Sequence, residues 1–349
     1  MNGAQLQRLK SELGVALAQM PQDDHAVFNS NIMITGASGF VGKWLLMSWI
    51  VAREEFGAKG RLSCVSRRRA SYPECLYQNA VRAGVDFQFT DIRNLATLEL
   101  QNINGIIHGA TPTTLGLTQA ALSETVTTII DGQRAVLDFA TKSNVQRLLF
   151  LSSGAVYGAQ PFDKEGLSED DLTAPDPLNA TTAYHEAKRL AENLGAIAAM
   201  NGSLEFISAR LFAFLAPLLP LDAHFAAGNF IRDALRGTDI RLTGTGKSFR
   251  SYQYGTDLTT WLWTMLRRGQ NMRAYNVGSD EVITIERLAN LVIASSGKPL
   301  KIVKSEFPNG NRESRYSPSI ARAQRELGLC NNVPVVSAVE RSLSWWSCQ

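Results

Sequence analysis

The sequence predicts an α/β fold: a doubly wound parallel sheet with a smaller mixed α/β lobe toward its C-terminal end. Three observations predict it. A short apolar run, Ile32-Met33-Ile34, leads into glycines spaced Gly-x-x-Gly-x-x-Gly at Gly36, Gly39 and Gly42, and a helical pattern follows. Apolar runs and helical stretches then alternate as far as Leu211. From Phe212 the pattern changes to alanine, proline and aromatic residues. Strand–helix alternation implies right-handed crossovers, and these bury a parallel sheet under helices on both faces.

The elements follow in order. Residues 1–29 read as a helical extension, with Leu6, Leu9, Leu13, Leu17 and Met20 at helical spacing. It is expected to pack on the outside of the fold or on a partner subunit. After the first strand, Gly36 can take a turn that a Cβ forbids. Gly39 lets the backbone approach a pyrophosphate, and Gly42 lets the helix pack near its strand. Val41, Leu45 and Trp49 give that helix one apolar face. Its N-terminus offers free N–H groups and a positive dipole end to phosphate. Further strands are expected at 61–66, 85–91, 105–110, 147–151 and 204–211, the fifth running into Ser152-Ser153. Helices are expected over 117–141 and 184–200, the latter with Leu190, Leu194 and Ile197 inward. Helices over 224–236 and 257–268, short strands at 240–246 and 274–277, a helix capped by Thr284 and a last helix over 337–346 complete the chain. The domains are accordingly 30–211, with 252–278 returning to it, and a second lobe of 212–251 and 279–349.

Composition narrows the function classes. The chain has 349 residues, 45% of them hydrophobic, enough for a large core or two lobes. A net charge of +3 is too mild to argue for nucleic acid or an anionic membrane. The longest apolar run, 211–219, contains Pro217 and is too short to span a bilayer. The first residues lack the apolar core of a signal peptide. Four cysteines without paired spacing and four histidines without a cluster argue for reduced thiols and no metal site. A cytoplasmic protein is expected.

Ser153, Tyr184 and Lys188 carry the chemistry. Tyr184 and Lys188 stand at i and i+4 on one helix face. An ammonium beside a phenol stabilises the phenolate, so the tyrosine can act as a base towards a hydroxyl. The Ser153 hydroxyl can bridge the same oxygen.

With the glycine turn, these residues resemble the extended short-chain dehydrogenase/reductase superfamily, the NAD-dependent epimerases, dehydratases and ketoreductases of nucleotide sugars. Thr35 to Gly42 resembles that branch's TGxxGFxG, and Leu151 to Gly158 its fifth-strand motif. The resemblance implies a Rossmann-type dinucleotide domain, a nucleotide-sugar lobe and a homodimer. It implies Ser153, Tyr184 and Lys188 as catalytic residues, with Tyr184 and Lys188 also at the nicotinamide ribose. Gly36, Ser38, Gly39, Phe40, Val41, Gly42, Ser66, Arg67, Asp91, Ile92, Ala110 and Thr111 fall at the strand ends that would hold the cofactor. In the second lobe Gly228-Asn229-Phe230-Ile231 resembles the segment whose asparagine meets the substrate diphosphate. Gly244 to Tyr252 resembles G-x-G-x-x-R-x-Y/F, whose arginine, here Arg250, grips the pyrophosphate. Arg312 is the candidate for a further arginine, with Arg315 competing.

The chain departs from the family in three places. Ala213 and Ala216 stand where Asn and Gly are usual after the sixth strand, and the fourth strand carries His108, read as structural rather than acidic. Dehydratases of the family place an Asp-Glu pair directly after the strand-five residue, and decarboxylases a glutamate two residues on. Here Gly154 and Ala155 stand there, without a side-chain proton to exchange. The expected reaction is 4-epimerisation of a nucleoside-diphosphate sugar through a 4-keto sugar. Ketoreduction is the alternative, and Asp163 and Glu165 are possible substitute carboxylates for a dehydratase. A different class, a non-catalytic cofactor-binding scaffold, gives no reason to keep Ser153, Tyr184 and Lys188 together. After the second strand, Ser66-Arg67-Arg68 lacks the carboxylate that selects NAD. A hydroxyl and a guanidinium suit the 2′-phosphate of NADP, which is set slightly ahead of NAD.

Overall fold

The computed structural model describes residues 1–111, 117–223, 225–304 and 313–348. In chain order its strands are β1 (Ile32–Thr35), β2 (Leu62–Ser66), β3 (Asp86–Phe89), β4 (Gly105–His108), β5 (Arg147–Ser153), β6 (Glu205–Leu211), β7 (Ile240–Leu242), β8 (Phe249–Ser251), β9 (Arg273–Val277), β10 (Val282–Thr284), β11 (Ile302–Lys304) and β12 (Arg315–Tyr316). The helices are α1 (Gly3–Ala18), α2 (Phe40–Glu55), α3 (Glu74–Arg82), α4 (Gln119–Lys142), α5 (Ala183–Ala199), α6 (Ala226–Arg236), α7 (Gly255–Arg268), α8 (Ile285–Ser296), α9 (Ala321–Leu327) and α10 (Val335–Ser347). They fall into two compact units. The first comprises Met1–Gly158, Thr173–Leu211 and Thr259–Tyr275, the second Ala159–Leu172, Phe212–Leu258 and Asn276–Gln349.

The first unit is built on a sheet in the order β3-β2-β1-β4-β5-β6-β9. β1 pairs in parallel with β2 and with β4, so the strand order reverses between β1 and β4. A crevice at such a switch point, beyond the carboxyl ends of the strands, is where doubly wound sheets take ligands. All four residues of β1 and of β4 are buried, as strands covered on both faces require.

The N-terminal extension is part of this unit. A reciprocal Asn2–Gln5 capping box starts α1. Leu6, Leu9, Leu13 and Leu17 are buried, and α1 packs on α2. The turn after it buries Asp24 completely, where it accepts from Thr264 Oγ1 at 3.1 Å and from Arg268 Nε at 2.6 Å. Phe28 packs against Trp49 and Trp263, whose Nε1 donates to Ser48 Oγ at 2.8 Å.

α5 corrects one expectation. Leu190 and Ile197 do not face inward; they are 46% and 56% exposed, and only Leu194 of the three packs against the core. The buried face is Ala187, Lys188, Ala191, Gly195 and Ala199. The reason is distance to the sheet. A Cβ on Gly195 would lie 2.1 Å from the ring of Phe206 on β6, so this stripe has no room for leucine.

In the second unit β8 pairs antiparallel with β10 and parallel with β12, while β7 pairs with β11. α6, α8 and α10 pack on one another. The loop over 159–172 is pinned to β12 and the residues after it. Ser317 N donates to Gln160 Oε1 at 2.9 Å, and Leu167 N to Ser317 O at 3.0 Å. No described helix is long and apolar enough to cross a membrane.

Gly195→Val forces a branched side chain into the ring of Phe206. It should destabilise the chain by about 1–3 kcal/mol, the usual cost of overpacking. Thermal denaturation followed by circular dichroism checks this, and an unchanged midpoint would show that α5 is free to move out.

Candidate active site

The glycine turn closes against β4. Gly36 has φ +71°, and a Cβ there would sit 2.5 Å from the carbonyl oxygen of Gly109. A Cβ on Gly42 would sit 2.5 Å from Ala37 Cα, so the first turn of α2 can close on the Gly36-Ala37 turn only without one. Gly39 is the N-cap of α2 and, having no side chain, makes no capping bond. The first turn of α2 begins here, beside Ser38, Phe40 and Val41. A backbone cradle this bare, at a helix N-terminus, fits the diphosphate of a dinucleotide.

At the ends of β2 and β3 the candidates are partly engaged. Ser66 is buried and accepts from the Tyr72 hydroxyl at 3.1 Å. Arg67 is exposed. Asp91 accepts from Arg93 Nε at 2.8 Å and Nη2 at 2.9 Å, and these bonds hold its carboxyl below the ordinary range. Ile92 is buried in the core cluster.

Ser153, Tyr184 and Lys188 come together. Ser153 ends β5, accepts from Ala155 N at 3.1 Å and is hydrogen-bonded to the Tyr184 phenol. Burial pushes the Tyr184 pKa up, and the Ser153 bond works against the rise. Lys188 is 1% exposed. Its Nζ donates to Leu151 O at 2.7 Å and Thr111 Oγ1 at 2.9 Å, and lies 4.5 Å from the Phe150 ring centroid and 5.9 Å from that of Tyr184. Burial lowers its pKa to about 7, with the Glu192 charge opposing. Its hydrogen bonds among the described residues go to these two oxygens rather than to the Tyr184 phenol.

Thr35 is a residue that sequence reasoning passed over. Its hydroxyl oxygen accepts from Gly109 N at 3.2 Å and Ala110 N at 3.3 Å, and lies 2.6 Å from His108 Nδ1. With N–H groups on its lone pairs, the hydroxyl donates its own proton to Nδ1. His108 is then the neutral tautomer with its proton on Nε2. Burial, reinforced by the Lys188 charge, takes its pKa down to about 3. A strand-end threonine gives no sequence signal of this role. Phe150 and Glu192 were also missed, though Glu192 follows Lys188 at the spacing by which Lys188 follows Tyr184.

In the second unit Asn229 Oδ1 accepts from Arg232 Nη1 at 3.1 Å. Arg250 donates from Nη1 to Phe249 O at 2.7 Å and from Nη2 to Ser314 Oγ at 3.0 Å. Arg315 lies over the Phe249 ring at 4.4 Å and donates to the carbonyls of Phe162 and Glu165. Asp163 and Glu165 are exposed. Arg312 lies outside the described residues. Among the described residues no group of three His, Cys, Asp or Glu is placed to hold a metal ion.

Residues 32–278 match the NAD dependent epimerase/dehydratase family. The chain belongs to that family. A similar curated member is the UDP-glucuronic acid decarboxylase 4 of Arabidopsis thaliana, 25% identical over 85% of this chain and 64% of its own length. The chain thus spans less than two thirds of that relative. Among solved structures, the UDP-glucose 4-epimerase of Thermotoga maritima with UDP-glucose superposes with a TM-score of 0.78, at 19% identity, over 90% of this chain and 98% of its own. The dTDP-glucose 4,6-dehydratase of Bacillus anthracis, in complex with NAD, gives 0.76 at 17% identity over 92% of this chain and 97% of its own. These two likenesses establish a shared fold.

Lys188 titrates at about 7 in the folded chain, against an ordinary 10.5. Between those values the unfolded chain holds a proton that the folded chain does not, so this group makes stability rise as pH climbs from about 7 toward 10.5, and it adds no pH dependence below that window. Urea denaturation should show the wild type gaining a few kcal/mol on Lys188→Met between pH 7 and 10, at about 1.4 kcal/mol per unit. Parallel profiles for the two proteins would contradict it.

Proposed function

We propose that the chain is a nucleoside-diphosphate-sugar 4-epimerase working through a transient 4-keto sugar. The observation that carries the reading is the meeting of Ser153, Tyr184 and Lys188 above two positions that lack proton-transfer groups. Tyr184 takes the proton of the sugar 4-hydroxyl, Ser153 bridges the same oxygen, and Lys188 stabilises the phenolate. A nicotinamide, when bound, supplies the hydride acceptor and donor at C4. Gly36, Gly39 and Gly42 would hold its diphosphate, and Lys188 would turn an N–H to its ribose. Asn229 and Arg250 are the proposed grips on the sugar-nucleotide diphosphate, as Arg250 presents a planar fork of donors.

Gly154 and Ala155 support epimerisation over the decarboxylation and dehydration carried in the names of its relatives. Neither has a side chain that could exchange a proton at C5 or C6. Reduction of a 4-keto sugar arriving from solution is the second reading, and the exposed Arg67 favours it because it suits NADP. The same reading takes NADP slightly ahead of NAD and includes a homodimer. Exposed Val126 on α4 and Leu190 and Ile197 on α5 supply an apolar surface for the second copy.

Incubation with a panel of UDP-, dTDP-, GDP- and CDP-sugars, read by mass spectrometry, tests the reaction. Epimerisation leaves the mass unchanged, and reduction adds two hydrogens. A product lighter by water or carbon dioxide would overturn both. Tyr184→Phe should abolish turnover, and Ser153→Ala should slow it by roughly 10²–10⁴.

Calorimetric titration of both dinucleotides checks the cofactor. Arg67→Ala should weaken NADP binding and spare NAD. Equal or tighter binding of NAD by the wild type would decide for NAD.

A further inference from the structure

α5 carries a third titratable residue on the face of Tyr184 and Lys188. Glu192 lies one turn beyond Lys188, so the three side chains stack along the helix. Its carboxylate accepts from Ser208 Oγ at 2.8 Å, from Arg210 Nε at 3.0 Å and from Arg210 Nη2 at 2.8 Å. Burial works against its charge, but the Arg210 bonds and charge outweigh burial and hold the carboxyl below its ordinary range. Arg210 Nη1 goes on to the Tyr157 hydroxyl at 2.9 Å. Tyr157 ends the short turn that starts directly after Ser153. One partly buried ion pair thus ties α5, β6 and the Ser153 segment together.

Lys188, by contrast, bonds only neutral oxygens among the described residues. The groups that face it are neutral His108 on β4, Thr111 after it, Phe150 and Leu151 on β5, and Tyr184 and Glu192 on its own helix. The negative charge among them is Glu192, one turn away.

We propose that Glu192 is a positioning residue for the proton-transfer pair: fixed by Arg210 and Ser208, its carboxylate keeps the buried Lys188 ammonium charged and locks α5 against β6. This rests on the reading of Tyr184 and Lys188 given above. Without Glu192 the lysine loses the one charge that offsets its burial. It then sheds its proton at lower pH, and the phenolate of Tyr184 loses its stabilising cation.

The test reads Lys188 directly. The full chain is labelled with ¹³C at lysine Cε and titrated by NMR, with the Lys188 signal identified by its loss in Lys188→Met. Glu192→Gln should lower the Lys188 midpoint by about one unit or more. Glu192→Asp, which keeps the charge, should stay near the wild type. The double variant Glu192→Gln/Arg210→Gln leaves no unpaired buried charge and carries the test alone if the single variant does not fold. Its midpoint should also stay below that of the wild type. A carboxylate that merely neutralises Arg210 predicts full recovery in the double variant. That recovery, or an unchanged midpoint in Glu192→Gln, overturns the proposal. Neither substrate nor cofactor enters the measurement, so its failure removes the role of Glu192 and leaves the catalytic reading to stand or fall on Tyr184→Phe.

Discussion

How near α5 comes to β6 decides the geometry at the carboxyl end of the sheet. Ala187, Ala191 and Gly195 stand at successive four-residue steps on its buried face, and Gly195 leaves space for nothing but the Phe206 ring. The same stripe carries Lys188, so the close approach also drives an ammonium under the ends of β4 and β5. A larger stripe would hold the helix off, and the lysine could no longer reach Leu151 O and Thr111 Oγ1. Small residues thus set a distance, and the distance sets the chemistry.

An ammonium that deep disfavours any second positive charge nearby. His108 faces it and is kept neutral by burial, its Nδ1 accepting a hydrogen bond from the Thr35 hydroxyl. Thr35 also takes the N–H groups of Gly109 and Ala110, and the next residue, Gly36, begins the cofactor turn. The end of β1 therefore fixes the backbone of the proposed diphosphate cradle and the charge state of the wall beside Lys188 through a single hydroxyl. The two proposed halves of the site, cofactor and base, share that joint.

Much of this was legible in the sequence. The glycine spacing, the alternation of strands and helices, and the Tyr184–Lys188 step each follow from local rules of backbone freedom and periodicity. The inward face of α5 was not. Leu190, Leu194 and Ile197 form an apolar stripe as regular as that of Ala187, Ala191 and Gly195, and periodicity alone does not say which stripe meets the sheet. The outcome turned on Phe206, a residue on a different element. The engagement of Asp91 by Arg93, of Ser66 by Tyr72 and of Arg250 by Ser314 was equally out of reach, because each depends on rotamers and turns that pattern does not encode. The closest case was Glu192, whose spacing was visible but whose partner Arg210 sits on β6.

The Asp24 contact gives the chain a timetable. Asp24 lies in the extension before β1, and Arg268, which holds it, lies 244 positions later at the end of α7. On a ribosome the extension, β1 and α2 emerge early, but a carboxylate with no counter-charge resists burial. The N-terminal turn can settle against Trp263 and Arg268 only once most of the polypeptide has been made. Until then Phe28 and Trp49 lack Trp263, the ring that packs on both. Docking of the N-terminal turn therefore waits for α7, and a nascent chain stalled before α7 would expose an aromatic surface for chaperones to cover.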